Sequence, residues 1–89
     1  MPIIKGTVVE YWSGRPISGA LIFVVNASKR FRTQTTTDVL GRFTILVPRS
    51  GVYTISVFKE GFEPFIKTYN ILYGIEVTIR LKPIVRIYM

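Results

Sequence analysis

Short stretches in which every second residue is apolar recur along the whole chain and are separated by turn residues. Residues 75–82, for example, read Ile-Glu-Val-Thr-Ile-Arg-Leu-Lys. Because successive side chains of a strand point to opposite faces, such a segment is a strand with one buried and one solvated face. No window shows the i, i+3, i+4 spacing of an amphipathic helix. The pattern predicts an all-β domain with strands over residues 3–10, 20–25, 31–37, 42–47, 52–59, 64–71 and 75–82.

The second predicted strand departs from this alternation. Its even-numbered positions are apolar, and so are Leu21, Phe23 and Val25 on the opposite face. A small domain of two sheets covers only one face of each sheet, so the second face of this strand needs another cover. The C-terminal tail, a long loop and a second protein are the three candidates.

The tail itself is apolar, since residues 84–89 read Ile-Val-Arg-Ile-Tyr-Met. A disordered tail is normally polar. We therefore expect one sandwich domain over residues 1–83 and a tail over 84–89 that serves as an extra edge strand or an interface. Ile84, Ile87 and Tyr88 are the tail residues expected at that interface, together with the second face of the second strand.

The composition of the chain limits the catalytic and metal-binding chemistry that it can support. The chain has 89 residues, 48% of them hydrophobic, with no Cys and no His. It therefore forms no disulfide, and it lacks the commonest general base and the commonest metal ligand. Its five acids are expected on solvated turns and strand faces, not as a catalytic pair in a cleft. We expect no enzymatic activity, no metal and no cofactor.

Several segments, in their order and spacing, resemble the carboxypeptidase regulatory-like domain, a transthyretin-like β-sandwich. The most diagnostic is Thr37-Asp38-Val39-Leu40-Gly41-Arg42-Phe43, which resembles the family's Thr-Asp-x-x-Gly-x-Phe. The others are residues 6–8 (Gly-Thr-Val), 15–22 (Arg-Pro-Ile-Ser-Gly-Ala-Leu-Ile), 51–57 (Gly-Val-Tyr-Thr-Ile-Ser-Val) and 61–62 (Gly-Phe). The resemblance runs from Ile4 to Pro83.

This resemblance implies a seven-stranded Greek-key sandwich and an accessory role that supports a partner without performing chemistry. The same fold hosts a hydroxyisourate hydrolase, but that enzyme's histidines and C-terminal Tyr-Arg-Gly-Ser are missing here. Each family motif also has a structural reason: Asp38 accepts turn amide hydrogen bonds, Gly41 adopts a positive φ, and Phe43 and Tyr53 fill the core. A lysine–asparagine isopeptide bond from Lys5 is disfavoured, because the last strand offers no acceptor.

The net charge is +7. Such a charge favours binding to an anionic partner, or it keeps a small domain rich in apolar residues soluble. Alternate loops of a sandwich gather at opposite ends. The loops 26–30, 48–51 and 72–74 then share one basic end. Lys29, Arg30, Arg32 and Arg49 are its candidate anion-binding or nucleic-acid-binding residues.

An aromatic pair at the other end, Tyr11 and Trp12, has two readings. The pair forms a sugar-stacking platform, or Trp12 packs over the end of the sandwich.

No apolar run is long enough to span a membrane as a helix, and the N-terminus does not read as a signal peptide. The family resemblance suggests the cell surface or the exterior, while the missing leader equally allows the cytoplasm. The composition is in keeping with a thermophile. The leading hypothesis is a non-catalytic, self-associating protein-interaction module. Binding of anions or nucleic acid, and binding of carbohydrate, are its alternatives.

Overall fold

The computed structural model describes residues 1–85, without the side chain of Lys29. All seven predicted strands are present, each within two residues of its expected bounds. They are β1 (Ile3–Glu10), β2 (Leu21–Asn26), β3 (Phe31–Thr36), β4 (Arg42–Leu46), β5 (Gly51–Phe58), β6 (Phe65–Ile71) and β7 (Gly74–Leu81). A short 3₁₀ turn, Ala27–Lys29, lies in the loop expected to be irregular. The all-β class and the two-sheet sandwich are confirmed.

The strands form a three-stranded sheet in the order β4-β1-β7 and a four-stranded sheet in the order β3-β2-β5-β6. Pro64 predicts an edge for the strand that follows it, and β6 does lie at an edge. The pairs are antiparallel except β1 with β7, which run parallel from Ile3 beside Gly74 to Glu10 beside Leu81. The sandwich therefore contains both antiparallel and parallel strand pairs. The Greek-key description of its connections stays a prediction.

The core lies between the two sheets and is built from the alternate residues of each strand. Tyr53 is its largest fully buried side chain, and its hydroxyl donates a hydrogen bond of 2.6 Å to the carbonyl oxygen of Arg49. The phenol therefore fills the core without leaving a buried donor unpaired. The other fully buried aliphatic side chains of the core are Ile4, Val8, Ala20, Ile22, Val24, Val47, Ile55, Val57, Ile71, Ile79 and Leu81.

Gly6 gives the three-stranded sheet room for Phe43. The two residues are partners across β1 and β4, and the Phe43 ring lies where a side chain at position 6 would begin. Phe43 is 5% exposed, so the ring is buried against bare backbone. A glycine that permits such a close approach explains the first family motif in structural terms.

The turn over residues 37–41 explains the most diagnostic motif. Thr37 is buried, and its hydroxyl donates to the carbonyl oxygen of Ile17 (2.6 Å) while it accepts from the amide of Ala20 (2.9 Å). Asp38 Oδ1 accepts the amides of Leu40 and Arg42, both at 2.9 Å. The pattern placed Thr37 at the end of the third strand, but β3 ends at Thr36. Thr37 is instead a buried residue whose hydrogen bonds join the β1–β2 loop to the β3–β4 turn.

Candidate interaction surface

The outer face of the four-stranded sheet carries an apolar patch. Leu21 is paired with Phe58 across β2 and β5, and Phe23 and Val25 follow on the same face of β2. Ile66 lies on that face of β6, beside Ser56. We call these five side chains, Leu21, Phe23, Val25, Phe58 and Ile66, the outer-face patch. The exposed fractions of Val25, Phe58 and Ile66 are 37%, 40% and 65%.

Two aromatic rings form the centre of the patch. Phe23 and Phe58 meet edge to face, with ring centroids 5.9 Å apart and planes at 74°. Such a contact holds both rings in fixed orientations and is favourable beyond simple burial. The patch is therefore a preformed apolar surface and not a set of unrelated exposed side chains.

Sequence reasoning missed Phe58 and Ile66. Phe58 has the same parity as Thr54 and Ser56, so strand alternation already directs it outward. Ile66 shares the outward parity of Thr68 on β6. The signal was available in both strands.

A shallow hollow of about 620 Å³ lies over the middle of the patch. Its lining consists of Phe23, Val25, Arg32, Thr33, Gln34, Ser56 and Phe58. A second hollow, of about 330 Å³, shares Val25 and Arg32 with it and extends to Arg30. A third, of about 460 Å³, lies beyond Phe58 and includes Leu21 and Lys59. Apolar surface thus continues along β2, with Arg30 and Arg32 at one end and Lys59 beside Glu60 at the other.

The basic residues predicted at one end are only partly brought together. Arg32 lies on the outer face opposite Val25, so it borders the outer-face patch. Arg30 follows the 3₁₀ turn with φ of 52°, and Arg49 lies in the β4–β5 loop. The two loops share an end of the sandwich, since a Cβ on Gly51 would be 3.2 Å from Asn26 Nδ2. The side chain of Lys29 is outside the described part.

Asn26 was predicted in that basic loop, but it ends β2 and is 4% exposed. Its Oδ1 accepts a 2.9 Å hydrogen bond from Ser28.

The start of the tail does not lie over the outer-face patch. Ile84 donates its amide to the carbonyl oxygen of Gly61 (2.9 Å), and Pro83 bridges to Phe62. Residues 82–84 thus run beside the β5–β6 loop, with Ile84 47% exposed. Ile87 and Tyr88 lie outside the described residues, so the tail as an interface stays a prediction.

Trp12 does not pack over the end of the sandwich, and that reading is wrong. It is 68% exposed and meets Tyr11 edge to face, with centroids 5.2 Å apart. The ammonium of Lys82 lies 4.9 Å from the Tyr11 ring centroid, and Arg80 donates to the Tyr11 carbonyl oxygen. The Tyr11 and Trp12 rings are not coplanar, and the Tyr11 ring is already in contact with the Lys82 ammonium. Sugar stacking at this pair stays a prediction.

Hydrogen bonds from Ser13, including its amide at 2.7 Å from Oε1, lower the pKa of Glu10. The carboxylate closes the turn after β1, because hydrogen bonds to the charged form favour ionisation. This role is structural.

Within residues 1–85, no group of three or more His, Cys, Asp or Glu side chains is placed to hold a metal ion. No helix in that range has the length and apolarity to cross a membrane.

Solved structures with the same fold come from several kinds of protein. The Bacillus anthracis TIE protein superposes with a TM-score of 0.77 at 15% identity, over 93% of this chain and 16% of that one. The group B streptococcus pilus 2b backbone protein superposes at 0.75 and 14%, over 92% and 41%. The 3-chlorocatechol 1,2-dioxygenase of Rhodococcus opacus 1CP superposes at 0.72 and 16%, over 92% and 60%. This chain therefore spans less than two thirds of each.

No curated protein sequence matches the chain. The sequence model of the carboxypeptidase regulatory-like domain matches residues 3–82, nearly the same span as the motifs. The fold, the Gly6–Phe43 contact and the Thr37–Gly41 turn account for those motifs physically, and the chain belongs to the carboxypeptidase regulatory-like domain family.

Proposed function

We propose that this domain is a non-catalytic protein-interaction module that associates with a second copy of itself through the four-stranded sheet. The outer-face patch carries the proposal. Its side chains lie on the face of the sheet that is turned away from the core, and Phe58 and Ile66 are 40% and 65% exposed. Contiguous apolar surface of this kind is favourable to bury against a partner.

The absence of candidate chemistry in the chain supports a non-catalytic role. The sequence has no His and no Cys, and the described acids form no cluster. The likeness to a dioxygenase chain, at 16% identity, concerns the fold. The regulatory-like family and the likeness to a pilus backbone protein favour interaction and assembly instead.

Light scattering over a concentration series tests self-association. We expect a dimer at high micromolar concentration. A contact that buries the outer-face patch should be weakened at least about tenfold by Phe23→Lys, since buried aromatic anchors carry much of an interface's binding energy. Thr7→Lys is the matched control, because Thr7 is a half-buried outer-face residue on the central strand of the other sheet. Deleting residues 84–89 measures the tail's share. A monomer at all concentrations would overturn the proposal.

A second candidate function, anion binding, is favoured by the hollow that joins the outer-face patch to Arg30 and Arg32. Titration with labelled single- and double-stranded DNA and RNA at low salt tests it. Binding should weaken as salt rises, and replacing both arginines by Gln should reduce that salt dependence. Salt-independent binding, or none, removes this candidate.

A further inference from the structure

The four strands that border the two sheets differ in how they are protected. Strands β3 and β6 border the four-stranded sheet, and β4 and β7 border the three-stranded sheet. An edge strand offers unpaired N–H and C=O groups, which act as a template for another strand unless the edge is blocked. The edge with the least protection is therefore the one most suited to pairing between chains.

Three of the edges are protected. Strand β6 follows Pro64, which disfavours pairing at this edge. Lys67 of β6 lies on the core side of the sheet opposite buried Ile55, and an inward-pointing charge also disfavours the addition of another strand. Strand β4 has only five residues and is soon followed by Pro48. Strand β7 carries outward charges, and the segment after it pairs with the β5–β6 loop through the Glu63 amide and the Lys82 carbonyl oxygen.

Strand β3 is the least protected of the four. Its six residues, Phe-Arg-Thr-Gln-Thr-Thr, include one charged side chain, Arg32, and no Pro, Gly, Lys or acid. Among residues 1–85, it pairs only with β2. Threonine is a good strand former, so the edge is well suited to remain extended.

The direction of the backbone groups of β3 follows from the residue after it. The amide of Thr37 donates to the carbonyl oxygen of Ala20 (3.0 Å), so the backbone of Thr37 points towards β2. Backbone groups of successive strand residues point to opposite sides. The N–H and C=O groups of Arg32, Gln34 and Thr36 therefore point to the open edge.

We propose that two copies of this chain pair through β3, antiparallel and with Gln34 opposite Gln34 on the two-fold axis. This inference rests on the proposed self-association and assigns it to the β3 edge. Such a contact leaves the outer-face patch uncovered, so a dimer that survives Phe23→Lys but is lost with Gln34→Pro supports it. Arg32 then lies opposite Thr36 of the second copy, and three residues from each strand exchange both backbone hydrogen bonds. The two four-stranded sheets become one sheet of eight strands, and the two outer-face patches lie on the same side of it.

Charge favours this register over the one that places Arg32 opposite Arg32. The two Arg32 side chains are four residues apart along the pair, which at about 3.3 Å per residue is roughly 13 Å. That exceeds the Debye length of about 8 Å at physiological salt. A register shifted to place Arg32 opposite Arg32 would bring two like charges face to face, which is destabilising. On the core side, Thr33 lies opposite Thr35, a favourable pair.

The natural absence of cysteine allows a direct test by thiol cross-linking with a short bismaleimide. The Gln34→Cys variant should cross-link to a dimer, because directly opposite residues are about 5.5 Å apart between Cα atoms. The Thr68→Cys variant is the matched control: its backbone faces the open edge of β6 by the same alternation, and its side chain lies on the same outer face. It should stay monomeric on the gel.

The register is tested by mixing two variants. Arg32→Cys and Thr36→Cys should each cross-link poorly alone and efficiently when mixed. Efficient cross-linking of Arg32→Cys alone would overturn the register.

A second measurement removes one outward amide without touching the β2–β3 ladder. Gln34→Pro should weaken dimerisation at least about tenfold, since it deletes a symmetric pair of hydrogen bonds. Thr68→Pro on β6 should leave dimerisation unchanged. Circular dichroism checks that both variants keep the wild-type fold.

The outcomes separate the two proposals. If the wild type is a dimer but Gln34→Cys fails to cross-link and Gln34→Pro dimerises normally, self-association stands and pairing through β3 is wrong. A wild type that is monomeric throughout overturns both.

Discussion

The two sheets of this sandwich both turn apolar side chains towards the core, but their outer faces differ in polarity. Across the middle of the three-stranded sheet, Thr44, Lys5 and Glu76 form a polar row, and Ile3 and Leu46 are an exposed apolar pair beside it. On the four-stranded sheet, Phe23 and Phe58 form an edge-to-face pair in the middle of an apolar surface. Both sheets bury their other face in one core, so an apolar outer face is not a requirement of the fold. The difference supports the proposal that the outer-face patch serves contact with a partner and not folding.

Threonine substitution on the two faces of the four-stranded sheet gives the largest expected difference. Ile55 is fully buried, whereas Ile66 is 65% exposed. Ile55→Thr should lower the free energy of unfolding by about 2–4 kcal/mol, since it removes packed volume and buries a hydroxyl. Ile66→Thr should change it by no more than about 0.5 kcal/mol. Urea denaturation measures both. Equal losses would mean that the outer-face patch contributes to folding after all.

The inner face of the three-stranded sheet is tested at Gly6. Gly6→Ala places a methyl group where the Phe43 ring lies. The resulting overpacking should lower the free energy of unfolding by about 1–3 kcal/mol. Adding Phe43→Leu to Gly6→Ala should recover part of that loss, because the smaller side chain vacates the space. Thermal denaturation of the single and double variants measures the coupling. No loss in the single variant would show that the ring relocates freely.

The smallest expected effect concerns pH. The pKa of Glu10 is lowered by the hydrogen bonds from Ser13, so its ionised form stabilises the folded state. That contribution is present above the ordinary glutamate pKa and is lost as pH falls through the lowered pKa. The difference in urea midpoint between wild type and Glu10→Gln should therefore shrink from neutral to acid pH. Dimerisation should be the same in both proteins at neutral pH, because Glu10 lies away from β3 and the outer-face patch.

Local alternation predicted most of the fold. The apolar positions of β5 and β7 identified which side chains enter the core, and turn residues placed every strand within two residues. The Thr-Asp-x-x-Gly-x-Phe run also predicted Asp38 as an acceptor of turn amides, which its bonds to Leu40 and Arg42 confirm. Phe58 could have been assigned to the outer face by the same parity rule.

The rest depended on which strands become neighbours. Thr37 reads as the last threonine of the third strand, and only its position beside Ile17 makes it a buried residue that joins two loops. Arg32 was grouped with a basic loop end, whereas the β2–β3 register places it beside Val25 on the outer-face patch. Neither contact leaves a trace in local periodicity, because each joins segments whose pairing is set by the whole sheet order.

By itself, the sequence determined the seven strands, their inner faces and the doubly apolar character of β2, because these follow from the period of two along one strand. The tertiary structure alone decided that β3 borders the sheet as its least protected edge, and that Phe58, Ile66 and Arg32 share the outer face with Phe23. An edge and a patch are properties of several strands at once, and the order of strands in a sheet is set by packing over the entire core.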